Sequence, residues 1–258
     1  GAPLKNSDDN RELFEEQVDI IFEAFNKESF SHKGSYYTIP PEVPYRGYDL
    51  KEITLVPRPV NRPVECWQPI QSATPRGLDF MAKHGIKGII GGGSSEGGAM
   101  DRAVHGLRDA YSRTGIETEP GENLAIGFHF HIAETQEQAM KEVGQFYEEN
   151  LKMFGPLRLV KALSDEQIEA MSNPETALKA GLPTIEDAVA AGGVLAGPAE
   201  LIIEQLKALE QKYPGLNRIS VSHPVGTPKS VMIEQLERFS EQVMPAFKGS
   251  VPELVPGD

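Results

Sequence analysis

The sequence is poor in the residues that build disulfides, cysteine-bound metal centres and membrane spans. Its 258 residues include a single cysteine, Cys66, so no disulfide can form within the chain and no cysteine-based metal or cluster site is possible. No segment approaches the roughly 18 consecutive apolar residues of a membrane helix. Residues 1–16 contain no apolar signal core. These absences predict a cytoplasmic protein with no membrane partner.

Positive charge is also scarce. The chain has 25 Lys and Arg against 38 Asp and Glu, which gives a formal net charge of −13. Such a surface repels nucleic-acid phosphates and anionic lipid, so we expect neither as a broad-contact partner. A small anionic ligand is not excluded, because it needs only a local pocket of N–H donors.

The composition and the order of segments are typical of an α/β domain. Hydrophobic residues make up 39% and charged residues 24% of the chain, and the length suits one domain over residues 1–258. Apolar segments predict strands at residues 64–70, 86–93, 124–134 and 218–226. Amphipathic segments predict helices at residues 8–25, 74–85, 98–115, 135–154, 197–215 and 228–247. Asp8 to Asn10 can cap the first helix, and Gly85 should end the second in a left-handed conformation. This alternation predicts parallel βαβ units.

Two regions interrupt the alternation. Residues 30–62 are rich in Pro, Gly and Tyr and predict a loop insertion, with a short hairpin from residues 35–39 and 51–56. Residues 155–195 predict an irregular helical insertion. Four parallel strands fit either a small doubly wound sheet or half of an eight-stranded barrel. The barrel is favoured because no G-x-G-x-x-G follows the first strand.

In both architectures ligands bind at the carboxyl ends of the strands. After the first predicted strand, Gln71, Ser72, Ala73 and Thr74 lead into a helix. The amides and dipole of a helix start can hold a phosphate, and the Ser72 and Thr74 hydroxyls can add donors. The other interpretation is that Thr74 is an ordinary helix cap.

A glycine run, Gly91, Gly92 and Gly93, follows the second predicted strand. Glycines allow a ligand to approach the backbone closely, but they are equally common in flexible turns. The run lacks the GK[ST] ending of a P-loop, which argues against nucleoside triphosphate hydrolysis.

Three histidines fall at predicted strand ends. His129 and His131 lie two residues apart on the third strand, so both imidazoles should face the same side. His223 lies at the end of the last strand, where an acid–base role is possible. Together they could form a metal-hydrolase site, in which His223 would supply the third ligand to the pair, although no further histidine falls at a strand end. The alternative interpretation is three hydrogen-bonded histidines of structural importance, and we expect no metal.

Several motifs resemble one enzyme family. They are Pro57-Arg58-Pro59, Arg62-Pro63, Trp67, Thr74-Pro75, Phe80 to Gly85, His131 to Thr135, Leu195 to Glu200, Ser222 to Gly226, and Leu236 to Phe239. In this order they resemble the later strands and helices of luciferase-like, flavin-dependent monooxygenases. The helix at residues 11–25 resembles the fourth helix of that family.

The resemblance implies a (β/α)8 TIM barrel of the luciferase-like type, of which this chain holds about the fifth to eighth strands. The first four strands, and with them the usual catalytic residues, would be missing before Gly1. The family binds reduced FMN and uses molecular oxygen. By position, Gln71 to Thr74 would contact the cofactor phosphate and Gly91 to Gly93 would pass near the cofactor. The catalytic residues stay unassigned, with the three histidines as candidates.

The resemblance leaves several points open. Some relatives use the deazaflavin F420, so an F420-dependent oxidoreductase is the first alternative, and a non-catalytic flavin-binding protein is another. The expected partners are a small organic substrate, oxygen and a separate flavin reductase. A homodimer is expected. Two such chains, or a different partner chain, could complete the sheet, since half a barrel exposes two edges.

Overall fold

The computed structural model of the chain describes residues 6–42, 44–45, 47–70, 72–93, 98–157 and 163–247. Its strands are β1 (His32–Lys33), β2 (Thr38–Ile39), β3 (Pro44–Tyr45), β4 (Tyr48–Asp49), β5 (Trp67–Pro69), β6 (Lys87–Gly91), β7 (Leu124–Ile132), β8 (Val194–Gly197) and β9 (Ile219–Ser222). Its α-helices are α1 (Ser7–Asn26), α2 (Pro75–Lys83), α3 (Ala99–Arg113), α4 (Gln136–Phe154), α5 (Asp165–Met171), α6 (Ile185–Ala190), α7 (Ala199–Lys212) and α8 (Lys229–Arg238). None of these helices combines the length and apolar character needed to cross a membrane.

Strands β5 to β9 form one parallel sheet, so the predicted mixed α/β fold is confirmed. The order is β5-β6-β7, and β9 lies on the other edge of β7. Strand β8 pairs with residues 129–132 of β7, beyond the point where β6 ends. His129 pairs with both β8 and β9, so these strands lie on opposite edges of β7. Strand β8 is therefore on the same edge of β7 as β6. We did not predict β8, because its four small or apolar residues follow directly on a helix and two glycines and have no alternation.

The sheet is curved. Strands β5 and β9 are separated by two strands, which would place them roughly 14 Å apart in a flat sheet. Nevertheless the guanidinium of Arg218, the residue before β9, lies 4.6 Å from the centre of the Trp67 ring on β5. The face that carries Trp67 is therefore the concave face of the sheet.

The main core lies on the opposite, convex face. Alternate residues of β7, namely Ile126, Phe128 and Phe130, are at most 5% exposed there. They pack with α2, α3 and α7 and with the turns that follow α8. A smaller cluster joins α4 and α6 to β8. Beyond the end of β9, the buried side chain of Gln235 hydrogen-bonds both the amide and the carbonyl of Ile132, which covers this edge of β7.

Helix boundaries follow local capping with some differences from expectation. Thr74 caps α2, and Gly85 after it has φ of +65°, both as predicted. The predicted cap of α1 at residues 8–10 is wrong, because Asn6 accepts from the Asp9 amide instead. The predicted helix at residues 228–247 ends as an α-helix at Arg238. A π turn and a 3-10 turn follow, and the π turn keeps both Phe239 and Val243 buried.

The hairpin in residues 30–62 has a different pairing from the predicted one. Strand β2 pairs with β1, and β3 pairs with β4, so each ladder is closed by a short local turn. A single bridge joins Phe30 to Ile53. The Glu16 carboxylate of α1 accepts from the Tyr36 and Tyr37 amides and holds the first ladder against the helix.

Candidate functional site

The concave face carries a row of small and polar residues toward the carboxyl ends of the strands. The registers align Ile89 with Ala125, Gly91 with Gly127, Gly127 with Ser220, and His129 with Ser222. We call Ile89, Gly91, Gly127, His129, Ser220 and Ser222 the open face. Each of these residues is exposed or half-buried, whereas their neighbours Ile90, Ile126 and Phe128 on the convex face are buried; Ala125 and His131 share the side of the open face but are buried. The open face is therefore a surface on which a flat ligand has room to lie.

The lower end of the concave face is closed by a charged cluster. The Lys87 ammonium and the Arg218 guanidinium lie 5.3 Å and 4.6 Å from the centre of the Trp67 ring. The Glu65 carboxylate accepts from Lys87 at 2.6 Å, from the Trp67 indole at 2.7 Å and from Arg218 at 3.2 Å. The hydrogen bonds from Lys87 and then Trp67 lower the pKa of Glu65 to about 2. The cluster ties the two outer strands together below the open face.

The three glycines after β6 differ in what their missing side chains allow. A Cβ on Gly92 would collide with the Phe128 ring, and Gly93 has φ of +153°. Packing and backbone conformation thus require glycine at both positions. A Cβ on Gly91 would meet no atom within 4 Å. Gly91 is therefore the glycine of this run that packing does not require, and it lies on the open face.

The predicted phosphate segment lies at the same end of the sheet. Gln71 lies outside the described residues. Ser72 and Thr74 are exposed, and Ala73 has φ of +36°. Thr74 Oγ1 accepts the Gly77 amide at 3.4 Å.

The amides available at the start of α2 are fewer than the sequence suggested. Pro75 has no amide hydrogen, and Leu78 donates to the Thr74 carbonyl at 3.0 Å. Arg76 bonds Glu15 on α1 through its side chain. The prediction of a phosphate contact therefore depends mainly on the hydroxyls, on the backbone of Ser72 and Ala73, and on the Arg76 amide, which its side-chain bond to Glu15 does not occupy.

The structure gives His129 and His131 separate hydrogen-bond partners, whereas His223 Nε2 is buried without one among the described residues. His129 Nδ1 lies 3.2 Å from Ser222 Oγ, and burial lowers the pKa of His129. His131 is 3% exposed and its Nε2 lies 2.7 Å from a Glu142 oxygen. The His223 ring stacks near Phe130 on the convex side, with ring centres 4.7 Å apart. Burial, and then the nearby His131 and His129, lower the pKa of His223.

The metal-hydrolase alternative gains no support from this arrangement. Within the part of the chain that the structure describes, no three His, Cys, Asp or Glu side chains are grouped so as to hold a metal ion. His129 and His131 share a strand but bond to different elements, β9 and α4.

Sequence reasoning missed Ser222 as the partner of His129 and missed the Glu65 cluster. The alternation of Arg218, Ser220 and Ser222 along the last strand was the available signal for a polar concave face. Gly127 on β7 gave a similar signal, since a glycine within a strand often marks a close approach.

Comparison with known proteins assigns the family. The profile of the family described as "Luciferase-like monooxygenase" matches residues 2–214. The chain belongs to this family. The predicted resemblance is thus confirmed over most of the chain. No curated protein matches the sequence.

Solved structures share the fold of this luciferase-like chain at low identity. Monooxygenase RslO1 from Streptomyces bottropensis is 16% identical with a TM-score of 0.65, over 94% of this chain and 63% of that one. The oxygenating constituent of 3,6-diketocamphane monooxygenase from Pseudomonas putida, in complex with FMN, is 18% identical with a TM-score of 0.61, over 92% and 63%. A coenzyme F420 dependent tetrahydromethanopterin reductase from Methanopyrus kandleri is 14% identical with a TM-score of 0.54, over 93% and 63%.

The luciferase-like chain therefore spans less than two thirds of the length of these solved relatives. At such identities the likeness shows the fold alone. The missing first four strands stay a prediction.

Proposed function

We propose that this chain holds reduced FMN on its open face as part of an oxidoreductase that uses molecular oxygen on a small organic substrate. The family assignment supports this function, and one solved relative carries FMN. The main observation behind the proposal is that Gly91 and Gly127 pair with each other on the open face and have no side chains. They lie above the Glu65 cluster, which closes the lower end of this face. Bound reduced flavin would supply the electrons that activate oxygen.

The residues that would hold the cofactor lie at one end of the sheet. Ser72 and Thr74 would donate hydroxyl hydrogen bonds to the phosphate, with the Ala73 backbone and Gln71 beside them. The turn from Gly91 to Gly93 would let the ring system approach the backbone. The net negative charge of the protein is compatible with this site, because the contacts are local.

Titration with FMN tests the proposal. The purified chain is titrated with oxidised and with reduced FMN, and binding is followed by flavin fluorescence or absorbance. Gly91→Val should weaken FMN binding about tenfold or more, which corresponds to about 1.4 kcal/mol, because the new side chain occupies the cleared space. Thermal unfolding should be nearly unchanged, since the Cβ at this position meets nothing within 4 Å.

A matched control is Gly144→Ala on α4, where the added Cβ makes an ordinary 3.5 Å contact with Ile185 away from the open face. It should bind FMN as the parent does. Equal affinity of Gly91→Val and the parent would contradict the proposed site, and absence of FMN binding at millimolar concentration would contradict the function.

F420 is the second candidate cofactor, favoured by the likeness to an F420-dependent reductase. The same titration with reduced F420, with and without oxygen, separates the two. Tighter binding of F420, together with oxygen-independent hydride transfer, would favour the alternative. A flavin that binds without substrate-dependent turnover would favour the non-catalytic alternative. The flavin reductase, the homodimer and the cytoplasmic location stay predictions.

A further inference from the structure

A serine and a backbone carbonyl hold His129 in one orientation at the upper end of the open face. Ser222 Oγ lies 3.2 Å from His129 Nδ1 and donates to the Phe128 carbonyl at 3.4 Å. A serine hydroxyl has one hydrogen, and a carbonyl oxygen can only accept. When the hydroxyl hydrogen points to Phe128, Ser222 Oγ can only accept from the ring, so the proton of His129 is on Nδ1.

We propose that His129 is a proton acceptor for the ligand of the open face, with Ser222 as the positioning residue that keeps its proton on Nδ1 and leaves the Nε2 lone pair free. The identity of the ligand as a flavin or its substrate depends on the proposed function. The orientation and tautomer of His129 do not depend on it.

The surroundings of Nε2 suit this role. The hydrogen bond with Ser222 Oγ is made at Nδ1, and the half-buried ring lies on the open face, where a ligand can approach Nε2. Burial lowers the pKa of His129, while the backbone of Ser222 opposes that shift. The imidazole is therefore neutral near pH 7 and able to accept a proton.

The other titratable groups near His129 do not take over this function. His131, on the same strand, is bonded to Glu142 of α4. His223, after β9, packs against Phe130, and the nearby His131 and His129 help to lower its pKa. His131 is thus bonded to α4, and the buried His223 Nε2 has no hydrogen-bond partner among the described residues and lies on the convex side, so only His129 is aligned with Ser222 on the open face.

The step is a simple proton transfer. An O–H or N–H bond of the bound ligand breaks, its electron pair stays on the ligand, and a new N–H bond forms at His129 Nε2. The resulting imidazolium keeps its Nδ1–H bond to Ser222 Oγ. The proton then returns to the product or to water.

Nitrogen-15 NMR of histidine-labelled protein tests the tautomer directly. His129→Gln identifies the His129 signals by their loss. We expect the neutral form of His129 to be protonated on Nδ1, and the pKa from a pH titration to lie below the ordinary value. Ser222→Ala should shift the neutral ring toward the Nε2–H tautomer. Ser220→Ala is the matched control, since it removes a hydroxyl from the same strand and face without touching His129, and it should leave the tautomer unchanged.

An Nε2–H tautomer in the parent protein would overturn the proposal. So would equal spectra of Ser222→Ala and Ser220→Ala, because Ser222 would then position nothing. A second arm adds FMN as the probe. Movement of the His129 signals on FMN binding supports the proton-acceptor role. FMN that binds without moving them overturns that role, whereas failure of FMN to bind at all counts against the proposed function and leaves the tautomer result standing.

Discussion

The two faces of strand β7 are built from alternate residues of a single nine-residue segment, yet they carry different kinds of side chain. On the convex face, Phe128 and Phe130 are buried under helices. On the concave face, Gly127 and His129 are half-buried beside exposed serines of β9. The backbone and its hydrogen bonds are shared, so the difference comes only from side-chain size and polarity.

This comparison separates stability from binding within one element. Large apolar side chains on the convex face remove area from water and fill the core. Gly127 and His129, midway along the concave face, are only half-buried, so they contribute less to the core and leave room for a ligand. Substitutions on the two faces should therefore have effects of different size and kind.

Phe130→Ala should give the largest effect. Phe130 is 0% exposed, and its ring packs 5.0 Å from Phe239 and 4.7 Å from His223. Truncation of such a core phenylalanine should lower the free energy of unfolding by about 3–5 kcal/mol. The control on the opposite face, His129→Gln, should cost about 1 kcal/mol or less. Urea denaturation measures both, and equal losses would show that the two faces do not differ in this way.

The neighbouring glycines Gly91 and Gly92 offer a sharper version of the same comparison. Gly92→Ala should destabilise the protein by about 1–3 kcal/mol, because the added Cβ collides with the Phe128 ring and the backbone must shift. Gly91→Ala should change stability by about 0.5 kcal/mol or less, since its Cβ enters open space. Chemical denaturation measures the stability of both variants. Equal losses of stability would contradict this prediction.

Of the three substitutions expected to destabilise the protein, Glu65→Gln should have the smallest effect, and this effect should depend on pH. The pKa of Glu65 is lowered from 4.5 to about 2 in the folded protein, chiefly by Lys87. The ionised carboxylate therefore adds stability above the unfolded pKa, and this contribution is lost as the pH falls from about 4.5 to about 2.

Because the Glu65 side chain is 47% exposed, solvent screening reduces the contribution to about 1 kcal/mol or less. The loss in Glu65→Gln should be seen at pH 7 and should disappear near pH 2. A loss that stays constant across this range would mean that the charge of Glu65 does not hold the lower end closed.

Much of the fold could be predicted from the sequence. The strands at β5, β6, β7 and β9 and their helices followed from periodicity and from caps such as Thr74 and Gly85. The predicted strands were longer than the observed ones, because the ends of a strand depend on its pairing partners. Strand β8 was missed since four residues carry too little pattern for a sequence-based prediction.

Less of the candidate site could be predicted from the sequence. Residues 72–74 and the glycine run lie at strand ends as predicted, while Gln71 lies outside the described residues, and contact with a cofactor stays a prediction. The sequence could not show which glycine faces open space and which one faces Phe128. The serine that orients His129 is 93 residues away, and the arginine that reaches Glu65 is 153 residues away.

By itself the sequence determined the class of the fold and the family, and it predicted the end of the sheet at which a ligand would bind, since these depend on local periodicity, caps and short motifs. Only the tertiary structure decided that Ser222 meets His129, that Arg218 meets Glu65 and that Gly91 borders empty space. Such contacts depend on strand register and sheet curvature, which arise when distant segments pack together.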